Sequence, residues 1–174
     1  MAQTQRLSGV TPKHVCDIHI YVTGSLQALD DELARVRDAM RRPGYRRRLL
    51  AGITVEGGIT TIRVLRAVES FGPPHPASIR DVADRLGVEH STASRAVDTA
   101  VRAGVLARLP CTDDQRKVML SMTDEGRDVL ARASQQRQDL LSDVTRSWSA
   151  HDIEQLVSLL ARLNDDFEQT RSHQ

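Results

Sequence analysis

The stretch Ser78–Leu106, SIRDVADRLGVEHSTASRAVDTAVRAGVL, constrains this chain most, because its apolar residues recur at helical spacing in two short blocks separated by a glycine. Ser78 is placed to cap the first block, with Asp81 three residues on at the spacing of a capping box. Ile79, Val82, Ala83 and Leu86 then form one face and Arg80, Asp84 and Arg85 the other. Gly87 supplies the left-handed residue that ends a helix, and Val88 is placed to plug the angle to the next. Two short amphipathic helices joined by so tight a turn make a helix-turn-helix.

The second block begins His90-Ser91-Thr92-Ala93-Ser94-Arg95, short polar side chains and one arginine, with Val97, Ala100 and Val101 as its inner stripe and Gly104 closing it. Small residues at such a start permit close approach to base edges in a DNA major groove, and arginine can bond guanine bidentately. A well-capped surface helix carries the same residues, so the segment that follows has to decide. Val105 to Leu109 alternates like a strand, Cys111 to Gln115 is a polar turn, and Val118 to Met122 alternates again, which predicts a hairpin, the wing of a winged helix. The tip carries Asp113, Asp114, Arg116 and Lys117, a basic pair for phosphate or the minor groove, with Asp114 placed to hold Arg116.

From Leu86 to Gly126 the chain resembles the multiple-antibiotic-resistance regulator (MarR) family of bacterial transcription factors. The resemblance rests on Leu86-Gly87-Val88, Thr92, Ser94-Arg95, Val97-Asp98, Gly104-Val105-Leu106, Asp114-x-Arg116 and Thr123-x-x-Gly126, an ordered set over about forty residues without a gap. Ser91 stands where the family often has proline, and Ala100 where it has a larger apolar residue. The resemblance implies a homodimeric winged helix on pseudo-palindromic operator DNA, often released by a small ligand or an oxidant.

The expected fold is mainly α: a winged helix-turn-helix with a two-stranded β wing, plus long N- and C-terminal helices forming an intertwined dimerisation domain. The expected division is residues 1–53 for the N-terminal arm and dimerisation helix, 54–122 for the DNA-binding domain and 123–174 for the C-terminal dimerisation helices. Aromatic residues are only 3% of the 174, so a core must come from Leu, Val, Ile and Ala, which suits helices. A formal net charge of +1 puts the attraction for DNA in local arginines rather than total charge. Lys13 and Lys117 are the only lysines, a bias that suits a GC-rich bacterial genome. With no apolar run able to span a bilayer and no hydrophobic signal core in the first residues, the expected location is the cytoplasm and no membrane partner is expected.

Pro12 should precede or begin a long helix whose stripe runs through Ile18, Val22, Leu26, Leu29, Leu33, Val36 and Met40, until Pro43-Gly44 breaks it. Arg41, Arg42, Arg46, Arg47 and Arg48 read better as a solvated helix junction than as a further DNA or anion contact. Gly52-Ile53-Thr54 leads into a helix through Val68, and Phe71 to Pro76 is a rigid connector. Beyond the wing, Thr123 should cap a helix bearing Val129, Leu130, Ala133, Leu140, Leu141, Val144 and Trp148. Ser149 with Asp152 should cap the last helix, whose stripe is Ile153, Leu156, Val157, Leu160, Leu163 and Phe167. Such terminal helices cannot bury their faces in one small chain, which argues for a dimer.

The expected DNA contacts are His90, Ser91, Thr92, Ser94, Arg95, Arg108, Arg116 and Lys117. A small-molecule effector is expected between the dimerisation helices and the winged helix, with His19, Tyr21, Arg47 and Arg48 as its polar lining. Cys16 and Cys111 are too few for a disulfide framework; a redox switch at Cys16 is the alternative mode of release. His14, Cys16 and His19 do not make a metal site on a helix, since offsets of two and five residues turn the side chains through roughly 200° and 500°. Neither cofactor nor metal is expected. With no phosphate loop or nucleophile elbow, the chain does not read as an enzyme. The alternative from another class is a winged-helix protein-interaction module that binds no DNA.

Overall fold

The computed structural model describes residues 12–72, 76–110 and 118–172, with side chains described at 24–72, 76–110 and 118–170. Seven helices and two strands follow in order: α1 (Pro12–Arg41), α2 (Pro43–Leu49), α3 (Ile59–Glu69), α4 (Ile79–Leu86), α5 (His90–Arg102), β1 (Leu106–Pro110), β2 (Val118–Met122), α6 (Asp124–Val144) and α7 (Ala150–Ser172). The chain divides into two compact units, residues 1–46 and 47–174.

The second unit is organised by the helix-turn-helix. Ser78 Oγ accepts from the Asp81 amide at 3.2 Å, while the Asp81 carboxylate accepts from the Ser78 amide at 2.8 Å, closing the expected capping box. Gly87 takes the left-handed conformation at φ 63°, which lets the Val88 amide return to the Ala83 carbonyl at 3.1 Å. The chain then enters α5 with its inner stripe downward: Ala93, Val97 and Ala100 are fully buried. Ala100 has no solvent exposure, so its small side chain is matched by close packing around it.

The wing is antiparallel, with Leu106 opposite Met122 and Pro110 opposite Val118. Its first strand begins at Leu106, one residue beyond the expected Val105. Val105 instead closes α5, its amide reaching the Ala100 carbonyl at 3.1 Å. The wing is fastened to the helix-turn-helix by the Leu120 amide, which donates to the Ala77 carbonyl at 2.8 Å. Leu65, Leu120, Val64, Val82, Val97, Val105 and Val129 are the largest fully buried side chains, so α3, α4, α5, the wing and α6 share one core. Thr61 is buried among them, and its hydroxyl is satisfied by the Glu56 carbonyl at 2.5 Å.

Pro43-Gly44 does interrupt the long N-terminal helix, but the chain stays helical: Pro43 is the first residue of α2, where its missing amide costs nothing. The stripe of α6 stops short of Trp148. Thr145 leaves helical geometry and its hydroxyl donates to the Leu141 carbonyl, ending the helix at Val144 and leaving Trp148 in a turn, 45% exposed. Ser149 and Asp152 then cap α7 with mutual bonds at 3.1 Å. On α7 every described side chain is exposed except Leu163, which is half-buried. On α1, Leu26, Leu29, Leu33, Val36 and Met40 are all well exposed.

Candidate nucleic-acid interface

Helix α5 has two unlike faces. Its amide groups at Thr92 and Ala93 bond the Glu89 carbonyl at 2.9 and 3.0 Å, which starts the helix immediately after the turn. With Ala93 and Val97 buried, His90, Ser91, Thr92 and Arg95 are exposed and Ser94 is half-buried. A period of 3.6 residues sets Ser91 and Arg95 opposite the core stripe, with Thr92 and Ser94 on its two flanks and His90 at the first turn. Arg95 folds back along the helix: its Nε donates to the Ser91 carbonyl at 3.2 Å. Its guanidinium has no acidic partner among the described residues. A guanidinium steadied at Nε keeps two outer N–H groups in the fork that suits a guanine edge.

Two ion pairs hold α5 from its flanks. Arg108 on β1 binds Asp98 on α5 at 2.5 Å, with side chains 41% and 51% exposed, so the wing strand is tied to the outer side of the helix. Arg102 bonds Thr99 Oγ1 at 3.1 Å and pairs with Glu56 at 3.2 Å, bracing the far end of α5 to the loop before α3. That loop lies close: a Cβ on Gly57, whose φ is +78°, would stand 3.0 Å from Thr99 Cγ2 and 2.5 Å from Thr61 Oγ1. Glu56 and Arg102 are parts of this framework that the sequence reading did not single out. No local pattern marks them, since Glu56 and Arg102 are brought together by the packing of α3 on α5.

The wing joins α6 through a second tight crossing. Thr123 caps α6, its Oγ accepting from the Gly126 amide at 3.1 Å while its own proton goes to the Gly104 carbonyl at 2.7 Å. A Cβ at Gly126 would lie 2.1 Å from the Val105 carbonyl oxygen, so only glycine lets α6 start against the end of the recognition helix.

Of the residues expected around an effector, Arg47 and Arg48 have described side chains. Arg48 pairs with Asp143 near the end of α6, and Asp143 also accepts from Arg146 at 3.1 Å. The hydrogen bond from Arg48, then that from Arg146, holds the Asp143 carboxyl below the usual carboxylate range. Arg41, Arg42, Arg46, Arg47 and Arg48 are all exposed, as a solvated junction requires. Cys16, His19 and Tyr21 lie on α1 with side chains outside those described, and Cys111, Arg116 and Lys117 lie outside the described residues altogether. Among the described residues no cluster of His, Cys, Asp or Glu could hold a metal, and no helix is long and apolar enough to cross a membrane.

Comparison with known proteins gives the same fold. Residues 52–117 match the model of the MarR family. The chain is 27% identical over 100 residues to the HTH-type transcriptional regulator PecS of Dickeya dadantii (strain 3937), covering 58% of this chain and 60% of PecS. This chain thus spans somewhat less than two thirds of that relative. The structure of a MarR family protein from Bacillus stearothermophilus superposes with a TM-score of 0.70 at 18% identity, over 84% of this chain and 97% of the other. The PcaV transcriptional regulator of Streptomyces coelicolor, solved in complex with its natural ligand, superposes at 0.55 with 23% identity, over 76% and 89%. Residues 52–117 thus match the MarR family model, and the chain around them is similar to a transcriptional regulator in sequence and to MarR-family structures in fold.

Proposed function

We propose that this protein is a sequence-specific DNA-binding transcriptional regulator, a repressor that acts as a homodimer on a pseudo-palindromic operator in the bacterial cytoplasm and is released by a small molecule. The observation that carries the reading is the outward face of α5: small polar residues and Arg95 stand clear of the protein while the opposite face is locked into the core. Ser91, Thr92, Ser94 and Arg95 enter the major groove, with His90 beside them at the helix start, and Arg108, Arg116 and Lys117 on the wing meet the backbone or minor groove. Because Arg108 is already paired with Asp98, its phosphate contact is the weakest of the set.

A dimer is supported by the terminal helices. Leu26, Leu29, Leu33, Val36 and Met40 of α1, and Ile153, Leu156, Leu160, Leu163 and Phe167 of α7, alternate three- and four-residue steps, the seam of helices that pack on others. Apart from half-buried Leu163, both seams are exposed, and a second copy of the chain covers them. In this reading residues 1–53 and 123–174 dimerise and residues 54–122 bind DNA. A two-fold pair of recognition helices then stands about 34 Å apart, one DNA turn. Release by a small molecule is supported by the ligand complex of PcaV, a regulator of the same fold.

Footprinting of the DNA upstream of the protein's own gene, at two salt concentrations, tests the proposal. A protected inverted repeat with centres one turn apart is expected. Arg95→Ala should then cost about 1–3 kcal/mol of specific affinity, and Arg116→Ala should weaken binding to all sequences more evenly. If genome-wide selection of bound fragments also recovers no DNA, the winged helix is a protein-interaction module instead.

A further inference from the structure

Between the end of α3, the segment leading into α4, the wing and the first turn of α6 lies a concave site of about 450 Å³. Its floor is Val68 from α3 and Leu120 from β2, both in the core. Leu109 and Met122, from the two wing strands, form its apolar walls, and Glu69 and Arg127 stand at its mouth. Leu109 is 46% exposed, an apolar side chain kept on the surface with nothing over it among the described residues. The volume falls in the range of small-molecule sites, roughly 300–1,000 Å³.

The mouth carries an unequal balance of charge. Arg127 is spoken for: one terminal nitrogen donates to the Met122 carbonyl at 2.8 Å and the other to Asp124. Glu69 has no ion-pair or hydrogen-bond partner among the described residues. With Arg127 engaged by Asp124, Glu69 is the unpaired charge of the lining, which favours a cation over an anion. We propose that this cavity is the effector site, and that it takes a lipophilic cation: an aromatic or alicyclic body against Leu109, Leu120 and Met122, with a protonated amine toward Glu69. The inference rests on the effector part of the proposed function and gives it a place and a chemistry. A body seated there bears on both wing strands beside the Leu120–Ala77 hydrogen bond that pins the wing to the start of α4, so occupancy biases the wing's position.

Equilibrium dialysis of the full-length protein with 1-naphthylmethylamine, 1-naphthoate and 1-naphthalenemethanol tests the site. The three probes share a body and differ in charge. The amine should bind saturably and about 10-fold more tightly than the carboxylate, and Glu69→Gln should cost about 5-fold in amine affinity while sparing the alcohol. Ser121→Phe, which fills the cavity, and Leu109→Ala, which strips its wall, should each weaken all three probes; unchanged melting temperatures would show that both variants fold. No saturable binding of the amine overturns the proposal. So does carboxylate binding as tight as the amine's, or amine binding that neither cavity variant disturbs. The assay contains no DNA, so its failure is distinct from a failure of operator recognition, which footprinting reads.

Discussion

Gly126 shows how much a single position can hold in place. Its missing side chain lets the first turn of α6 rest on the Val105 carbonyl, and a methyl group there would meet that oxygen at 2.1 Å. The Met122 side chain, which it would also meet, can shift, but the Val105 carbonyl is backbone, so relief requires backbone movement. Gly126→Ala should therefore destabilise the protein by at least about 2 kcal/mol, read from urea denaturation at constant m-value. Thr123 is its companion, since one hydroxyl both caps α6 and bonds the Gly104 carbonyl. In the first turn of α7, Asp152 is held below the usual carboxylate range by the Ser149 hydroxyl and then the Ser149 amide. A carboxylate depressed on folding contributes stability that is present above its unfolded value, about pH 4, and is lost as pH falls through the folded one. The helical signal attributable to α7 should fall across that acid window, and Asp152→Asn should remove that part of the pH dependence in circular dichroism.

At the scale of elements, the recognition helix and the wing are coupled by Asp98 and Arg108. Both side chains are substantially exposed, so a double-mutant cycle should give a coupling below about 1 kcal/mol at physiological salt. The larger consequence is electrostatic. Asp98→Ala releases a guanidinium beside α5, and binding to unrelated DNA should tighten with a salt slope steeper by about one phosphate contact per protomer. Arg108→Ala in the same background should abolish that gain. The position of the expected contacts along α5 was readable beforehand, because a helical period assigns faces once Val97 and Ala100 are recognised as its inner stripe. The neutralisation of Arg108 was not readable, because it depends on the angle at which the hairpin leaves Gly104.

For the whole molecule, the exposed seams of α1 and α7 set the expected behaviour in solution. Leu156 and Leu160, one turn apart on α7, are 40% and 41% exposed. Leu156→Asp combined with Leu160→Asp should convert the proposed dimer to monomer in sedimentation equilibrium while the winged helix, whose core they do not touch, stays folded. The same variant should lose protection of an inverted repeat. Trp148, the only tryptophan, sits in the turn between α6 and α7, so a shift of its emission should accompany the change in assembly.

The helix-turn-helix, its caps and the inner stripe of α5 were determined by the sequence alone, because each depends on side chains within a few residues of one another. Ser78 finds Asp81 and Gly87 ends its helix wherever that segment is placed. The tertiary structure decided what local spacing cannot encode. It gave the Thr123-x-x-Gly126 motif its reason, the close crossing of α6 over Val105. It also paired Glu56 with Arg102 and Arg48 with Asp143, and it opened the cavity beside the wing. These features join residues far apart in the chain, and their geometry exists only once the helices have packed on a shared core.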